Sequence, residues 1–409
     1  MKKNCKENFY IKIRKDFERY EWARVCDAIN QPSLFGLKGE ITPLDPVQGN
    51  LSNCYFLSSA SALSLNPERI KRLFLIKCIN GNSFYAVTLC ITGVFREIWL
   101  DDYFPFKKGR FKFCKPKNDK IWAMLLEKAY SKIFGAFWNV GCGGHAGHAL
   151  KDLSGAPTEC FDLINYKPEN IYKIIKEFLN KKFAMTATTK EKGFNENKGV
   201  ITWHAYTILG IYENDTEENF QNGAYKDFKY FKDSKGGKDF KDFKDRDKYL
   251  IKLRDPWGKG GWNGIWSKNC KKWTKKLKEK FCYYEYFEDG VFYMPVSEFL
   301  KTFLELEVCY YHDSYFLTQK LNPATRETFN PFQIIIKEPG EYYISLSQQD
   351  KRLRQHKEHC FVSFVVLDYT KDKIKYIGGI GIKKRDIFIK SYLNSGVYVI
   401  IVYIFCFNF

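Results

Sequence analysis

The sequence predicts an α+β chain in three parts: a helical part, a sheet part and a closing run of short strands. Three observations predict it. Apolar residues recur at helical spacing up to about Asn180, the period then changes to two, and beyond Gln319 short strands alternate with turn residues. The chain has 409 residues, 45% of them hydrophobic and 18% aromatic, enough to bury a sizeable core in several domains. That composition excludes a wholly disordered chain.

The elements follow in order. Residues 1–50 read as irregular, with turn residues from Pro32 to Gly49. From Leu51, Phe56, Leu57, Ala60 and Leu63 share one helical face. Ser52 or Asn53 is placed to cap that helix and Pro67 to end it. Phe84 to Leu100 alternates as two strands, and Leu126, Ala129, Tyr130 and Ile133 predict a helix over Ala123–Phe134. A Gly-rich bend over Gly141–Gly147 precedes an amphipathic helix over Leu163–Asn180. Strands are expected at Phe183–Thr188, Ala205–Tyr212 and Tyr249–Arg254, then at Phe332–Ile336, Tyr342–Leu346, Phe361–Leu367, Ile387–Ile389 and Tyr398–Phe405. Between Tyr212 and Tyr249, residues 215–248 repeat Lys-Asp-Phe around Gly236-Gly237 and read as a solvated insertion.

Sixty-six Lys and Arg against 47 Asp and Glu leave a net charge of +19. Such a cation is drawn to anionic surfaces, or it reflects a Lys-rich composition spread over the chain. The lysines at 271, 272, 275, 276, 278 and 280 with Trp273 form a basic aromatic segment, which is either a solvated helix face or a contact for acidic phospholipid or nucleic acid. No specific nucleic-acid partner is expected. The longest apolar run, Val397–Phe407, is shorter than the roughly 20 residues that cross a bilayer, so no transmembrane segment is expected. Thirteen scattered cysteines, no CxxC pair and no apolar stretch behind the charged N-terminus predict free thiols in a cytoplasmic protein.

Four segments carry candidate chemistry. In Gln48-Gly49-Asn50-Leu51-Ser52-Asn53-Cys54-Tyr55, a cysteine begins a predicted helix, whose N-terminal partial charge and free N–H groups favour a thiolate. Gln48, six residues upstream, is in reach to donate to an oxyanion beside the Cys54 backbone N–H. A cysteine at such a place is also compatible with a small buried apolar role. Trp203-His204-Ala205-Tyr206 puts a histidine at the start of an apolar strand. Arg254-Asp255-Pro256-Trp257-Gly258 ends another strand in an acid, and Trp262-Asn263-Gly264-Ile265-Trp266-Ser267 follows. A cysteine, a histidine and a third polar residue on separate elements are the requirements of a thiol protease.

Taken together these segments resemble the calpains, a papain-like family of cysteine proteases. The family's motifs run Gln-Gly-x-Leu-Gly-Asp-Cys-Trp, Gly-His-Ala-Tyr, Arg-Asn-Pro-Trp-Gly and Trp-x-Gly-x-Trp-Ser. Leu125-Leu126-Glu127-Lys128-Ala129-Tyr130, Leu153-Ser154-Gly155 and Asp289-Gly290-Val291-Phe292-Tyr293-Met294 add matches in the right order over about residues 25–310. The resemblance implies a papain-like two-lobed core. An N-terminal segment 1–24 precedes a first lobe at 25–155 that bears Cys54 and a second at 156–315 that bears His204 and Asp255. A calpain-type β-sandwich at 320–409 follows, cut short of its last strands. It implies an endopeptidase acting on proteins, with Cys54 as nucleophile, His204 as acid and base, Asp255 orienting the ring, Gln48 at the oxyanion and Trp257 shielding the His–Asp contact. A catalytically silent scaffold is the alternative. The departures are Ser52-Asn53 for Gly-Asp, Tyr55 for Trp, Trp203 for Gly and Asp255 for Asn.

The family core takes two calcium ions. Carried over by position, Asp45 and Asp289 are the surviving metal carboxylates, whereas Lys120, Gly261, Lys268 and Val291 stand where acidic ligands belong. The expectation is a degraded pair of calcium sites. No EF-hand loop follows the core. Cys142, His145 and His148 have spacing compatible with zinc, but lie in a bend that the family keeps without metal.

Overall fold

The computed structural model describes residues 20–36, 38–191, 199–214, 247–281, 283, 289–320, 330–353, 358–370 and 373–405. Segment 1–19 and residues 215–246 of the Lys-Asp-Phe insertion lie outside the described residues. The chain divides into two compact units: Met1–Val87, Trp99–Leu150 and Thr158–Asp313 form the first, and Thr88–Ile98, Lys151–Pro157 and Ser314–Phe409 the second. Helices and several antiparallel sheets give the α+β class.

The first unit is built around a helix and a sheet. The helix Cys54–Leu63 buries every residue after its first, because Phe56, Leu57, Ala60 and Leu63 face the core and serines 58, 59 and 61 find backbone acceptors. Phe56 stacks on Tyr130 of the helix Trp122–Ile133 at 4.3 Å. The six-stranded sheet runs in spatial order Val291–Pro295, Tyr249–Arg254, Ala205–Glu213, Ala184–Thr189, Phe303–Cys309, Thr158–Asp162, antiparallel throughout. Its central strands are buried on both faces, as the near-continuous apolar run Tyr249–Leu253 requires. The Cys54 helix packs on the strands Ala205–Glu213 and Ala184–Thr189, and the Thr207 hydroxyl donates to Ser58 O at 3.0 Å. Helix and sheet thereby meet at the ends that bear Cys54 and His204.

Local differences from the sequence reading have physical causes. Pro67 begins a helix, Pro67–Lys71, instead of ending one: its missing N–H suits the first helical turn, and Asn66 caps it through Glu68 N. The preceding helix closes at Leu63. Asn53 occupies the N-cap position of the Cys54 helix without a side-chain cap bond. Its amide instead donates to Glu127 Oε1 at 2.6 Å, and Glu127 Oε2 accepts from Cys114 N at 2.8 Å. The Gly-rich bend is shorter than expected, since Ala146–Ser154 is helical through Gly147. Trp273 is buried with Trp266, Phe281 and Tyr293, so it is not part of an exposed basic face. Lysines 271, 275, 276 and 280 remain exposed there.

The second unit contains a four-stranded sheet in the order Asn330–Ile336, Gly396–Phe405, Phe361–Asp368, Lys375–Ile382 and a two-stranded sheet of Gly340–Ser347 with Asp386–Leu393. One apolar cluster draws on both sheets, with Val362, Phe364, Val366, Tyr398 and Val402 from the first and Ile387 and Leu393 from the second. The same unit holds a buried ionic cluster. Arg385 reaches Asp152 at 3.0 Å, Asp350 at 3.5 Å and Asp386 at 2.5 Å. Nine described cysteines are free thiols, as expected, whereas Cys360 is in a disulfide.

Two predictions follow from burial. Arg385→Met leaves Asp152 without its guanidinium and lowers the unfolding free energy of the second unit by about 3–5 kcal/mol, read by urea denaturation; a change within experimental error contradicts this. Burial pushes the Glu127 carboxyl up to about 7 from the ordinary 4.5, against the hydrogen bonds from Cys114 and Asn53. Its contribution to stability is therefore full below pH 4.5 and lost as pH rises through about 7. Wild-type stability falls relative to Glu127→Gln over that window in urea titrations, and parallel profiles would contradict it.

Candidate active site

Three segments bring the candidate residues together. Gly49 holds the approach to Cys54, because a Cβ there would lie 2.0 Å from Phe113 O. Ser52 is not among the residues of positive φ, so serine replaces the family's glycine without backbone strain. Cys54 then opens its helix with partial exposure, at the positive end of the helix dipole. Tyr55, in place of the family's tryptophan, lies against Gly144 and donates through its hydroxyl to Val140 O at 3.1 Å.

His204 is set by Thr189, whose hydroxyl accepts from His204 N at 2.9 Å and whose N–H donates to His204 O at 3.0 Å. Its ring Nε2 lies 3.0 Å from Asp255 Oδ1, and both side chains are buried. With Nε2 engaged, Nδ1 is the nitrogen left for Cys54, and each of the two groups acts on the charge of the other. Asp255 Oδ1 also accepts from Trp257 N at 2.8 Å. The Trp257 indole meets the His204 ring edge-on at 5.8 Å and remains 42% exposed. Asp255 N donates to Gly290 O at 2.9 Å; Gly290 has φ +79° and a Cβ there would lie 2.7 Å from Asp255 O, which explains the glycine.

The electrostatics oppose burial and win. Burial pushes the Cys54 thiol up, but the His204 charge and hydrogen bond, with the backbone N–H groups of Ala205 and Tyr55, bring it below its usual value. Burial pushes His204 down, yet Cys54 and Asp255 together raise it to about 10. The pair therefore favours thiolate and imidazolium over two neutral groups. Gln48 is buried nearby; its Nε2 donates to Leu51 O at 2.7 Å, which leaves the second amide hydrogen, and its backbone N–H donates to Pro256 O at 2.8 Å. Trp203, where the family has glycine, has φ +51° and an indole 63% exposed.

The two surviving metal carboxylates face lysines. Asp45 accepts from Thr42 N at 3.0 Å, the Thr42 hydroxyl at 2.8 Å and Trp122 Nε1 at 2.9 Å, and the Lys120 ammonium closes the set at 2.5 Å. Asp289 pairs with Lys117. A divalent cation at Asp45 meets an ammonium on the same oxygen, so these residues do not fit calcium. Gly261, Lys268 and Val291 supply no carboxylate.

Sequence reading missed two supporting residues. Arg254, completely buried, donates from Nη2 to Leu44 O and Pro46 O, each at 2.8 Å, and thereby ties the Asp255 strand to the loop before Gln48. Glu127 anchors Asn53; only its place in a matched motif signalled it. The zinc spacing does not persist: among the described residues His145 comes within 4.8 Å of Glu305 and Glu307, without Cys142. Glu307 lies against Gly147 at the start of a helix, a favourable place for a carboxylate.

Residues 4–310 match the calpain family cysteine protease profile. The chain is 29% identical over 307 residues to calpain-8 of Rattus norvegicus, covering 72% of this chain and 39% of that protein. It is 27% identical over 300 residues to the calpain-2 catalytic subunit of Homo sapiens, covering 71% of this chain and 38% of that one. It is 27% identical over 306 residues to the calpain-type cysteine protease DEK1 of Zea mays, covering 71% of this chain and 13% of that protein. The chain thus spans under half the length of these relatives. With a family match over three quarters of its residues, the chain belongs to the calpain family of cysteine proteases.

Proposed function

We propose that the chain is a cytoplasmic cysteine endopeptidase that makes limited cuts in proteins through Cys54, His204 and Asp255. The observation that carries the reading is the buried contact of His204 Nε2 with Asp255 at 3.0 Å, at the start of a strand to which the Cys54 helix is tied through Thr207 and Ser58. The Cys54 thiolate attacks the scissile carbonyl. The oxyanion receives the Cys54 backbone N–H and the remaining Gln48 amide hydrogen. The His204 imidazolium protonates the leaving amine as the C–N bond breaks, which leaves a thioester on Cys54. His204, now neutral, takes a proton from water; the resulting hydroxide cleaves the thioester, and the proton returns the pair to thiolate and imidazolium. Asp255 accepts from Nε2 throughout, and its negative charge stabilises the imidazolium more than an asparagine would. The Trp257 ring limits water at that contact.

The second unit is read as a β-sandwich of the calpain kind, which its shared apolar cluster supports. The exposed lysines at 271, 275, 276 and 280 suit an acidic phospholipid surface. No described helix is long and apolar enough to cross a membrane. A catalytically silent scaffold is the second reading, and the exposed Trp203 beside His204, in place of glycine, is the observation that favours it.

Labelling by an epoxysuccinyl probe, mapped by mass spectrometry, separates the two. The protease reading predicts modification at Cys54, none in Cys54→Ala, and a rate about 10²–10⁴-fold lower in His204→Ala. An unlabelled, folded wild type supports the scaffold. Asp255→Asn removes the charge that helps raise His204 to about 10, so the alkaline limb of the labelling rate moves to lower pH. An unmoved limb would contradict the role given to Asp255.

A further inference from the structure

Resting on the reading of Cys54 and His204 as the reacting pair, the geometry points to Lys120 and Lys117 as built-in cations that position the active site. We propose that these tethered ammonium groups take the place of calcium, so that the reacting pair is assembled whether or not calcium is present.

Both lysines come from one short segment, and both act on the same strand end. Lys120 Nζ reaches Asp45 Oδ1 at 2.5 Å and Glu40 O at 2.9 Å, with its side chain 7% exposed and that of Asp45 3%. The Asp45 loop carries Leu44 O and Pro46 O, which accept from Arg254, and leads into Gln48, whose N–H holds Pro256 O. Lys115, in the same segment, donates its N–H to Val47 O at 2.8 Å. Lys117 pairs with Asp289, and the next residue, Gly290, accepts from Asp255 N. Residues 115–120 are therefore linked to Arg254-Asp255 by two chains of contacts, one through the Asp45 loop and one through Asp289-Gly290.

Arg254, Lys117 and Lys120 stand with Asp45, Asp255 and Asp289, three cations against three anions. The cluster is neutral as built. A divalent ion would add two positive charges to it and would have to displace a buried ammonium from Asp45, with too few free oxygens to complete its shell. An intramolecular lysine needs no such exchange with solvent. Lys117 and Lys120 are positioning residues in this account, since neither touches the reacting atoms.

Isothermal titration calorimetry with calcium chloride, run beside Cys54 alkylation by iodoacetamide in EGTA and in millimolar calcium, tests the proposal on the full chain. The wild type is expected to give no calcium heat and equal alkylation rates. Lys120→Glu, which puts two carboxylates together, is expected to alkylate about tenfold more slowly in EGTA, to gain calcium heat, and to recover in calcium. A residue serving only stability would not show that rescue. Lys117→Ala, at a more exposed pair, covers the case in which the buried variant fails to fold: slower alkylation with unchanged circular dichroism is expected, and an unchanged rate overturns the positioning role. Stoichiometric calcium heat from the wild type, or alkylation that needs calcium, overturns the proposal and leaves the protease reading intact. Calorimetric silence supports the lysine assignment even where Cys54 proves inert, a result that would count against the protease reading alone.

Discussion

Arg254 and Asp255 end one strand as adjacent buried charges, and the site depends on how that strand end is held. Burial lowers the Arg254 guanidinium to about 10, although Asp255, Asp289 and Asp45 all act to raise it. Its Nε and Nη1 have no hydrogen-bond partner, and Nη2 alone makes the two bonds to Leu44 O and Pro46 O. A guanidinium so desolvated persists only with compensating charge close by. Three carboxylates provide it. Removal of one leaves a buried charge uncompensated and frees the strand end that presents Asp255 to His204.

From that constraint the chemistry follows outward. A fixed Asp255 fixes the His204 ring through Nε2, and Thr189 fixes its backbone. The helix Cys54–Leu63 is tied to the same sheet through Thr207 and to its neighbour through Phe56 on Tyr130. Sulfur and imidazole therefore meet as parts of one packed body, and the charge-separated form of the pair is favoured by neighbours already in place. Preorganisation of this kind is where an enzyme gains most, because nothing must reorganise as charge develops.

Some of this was readable in the sequence and some was not. Cys54, His204 and Asp255 lie far apart in the chain but each sits in a short motif at the start of a helix or the end of a strand, and local pattern finds such places. Lys120 announced itself as a lysine where an acid belongs. Its ammonium on Asp45, and the pairing of Lys117 with Asp289 across 172 positions, depend on tertiary approach that no local pattern encodes. Pro67 was ambiguous because proline both ends and begins helices. The strand Lys375–Ile382 was missed because Gly378, Gly379 and Gly381 weaken any strand signal; pairing with Phe361–Asp368 overrides that propensity. Glu127 looked like one more acid on a helix until Asn53 and Cys114 were seen to converge on it.

The central claim is a reacting pair held ready by the protein's own charges. The most direct measurement is the pH titration of thiolate ultraviolet absorbance in EGTA, taken as the difference between wild type and Cys54→Ala. The account predicts a Cys54 thiolate that forms below the ordinary thiol value of 9.0 with no calcium present. A step at the ordinary value that shifts down only when calcium is added would contradict it.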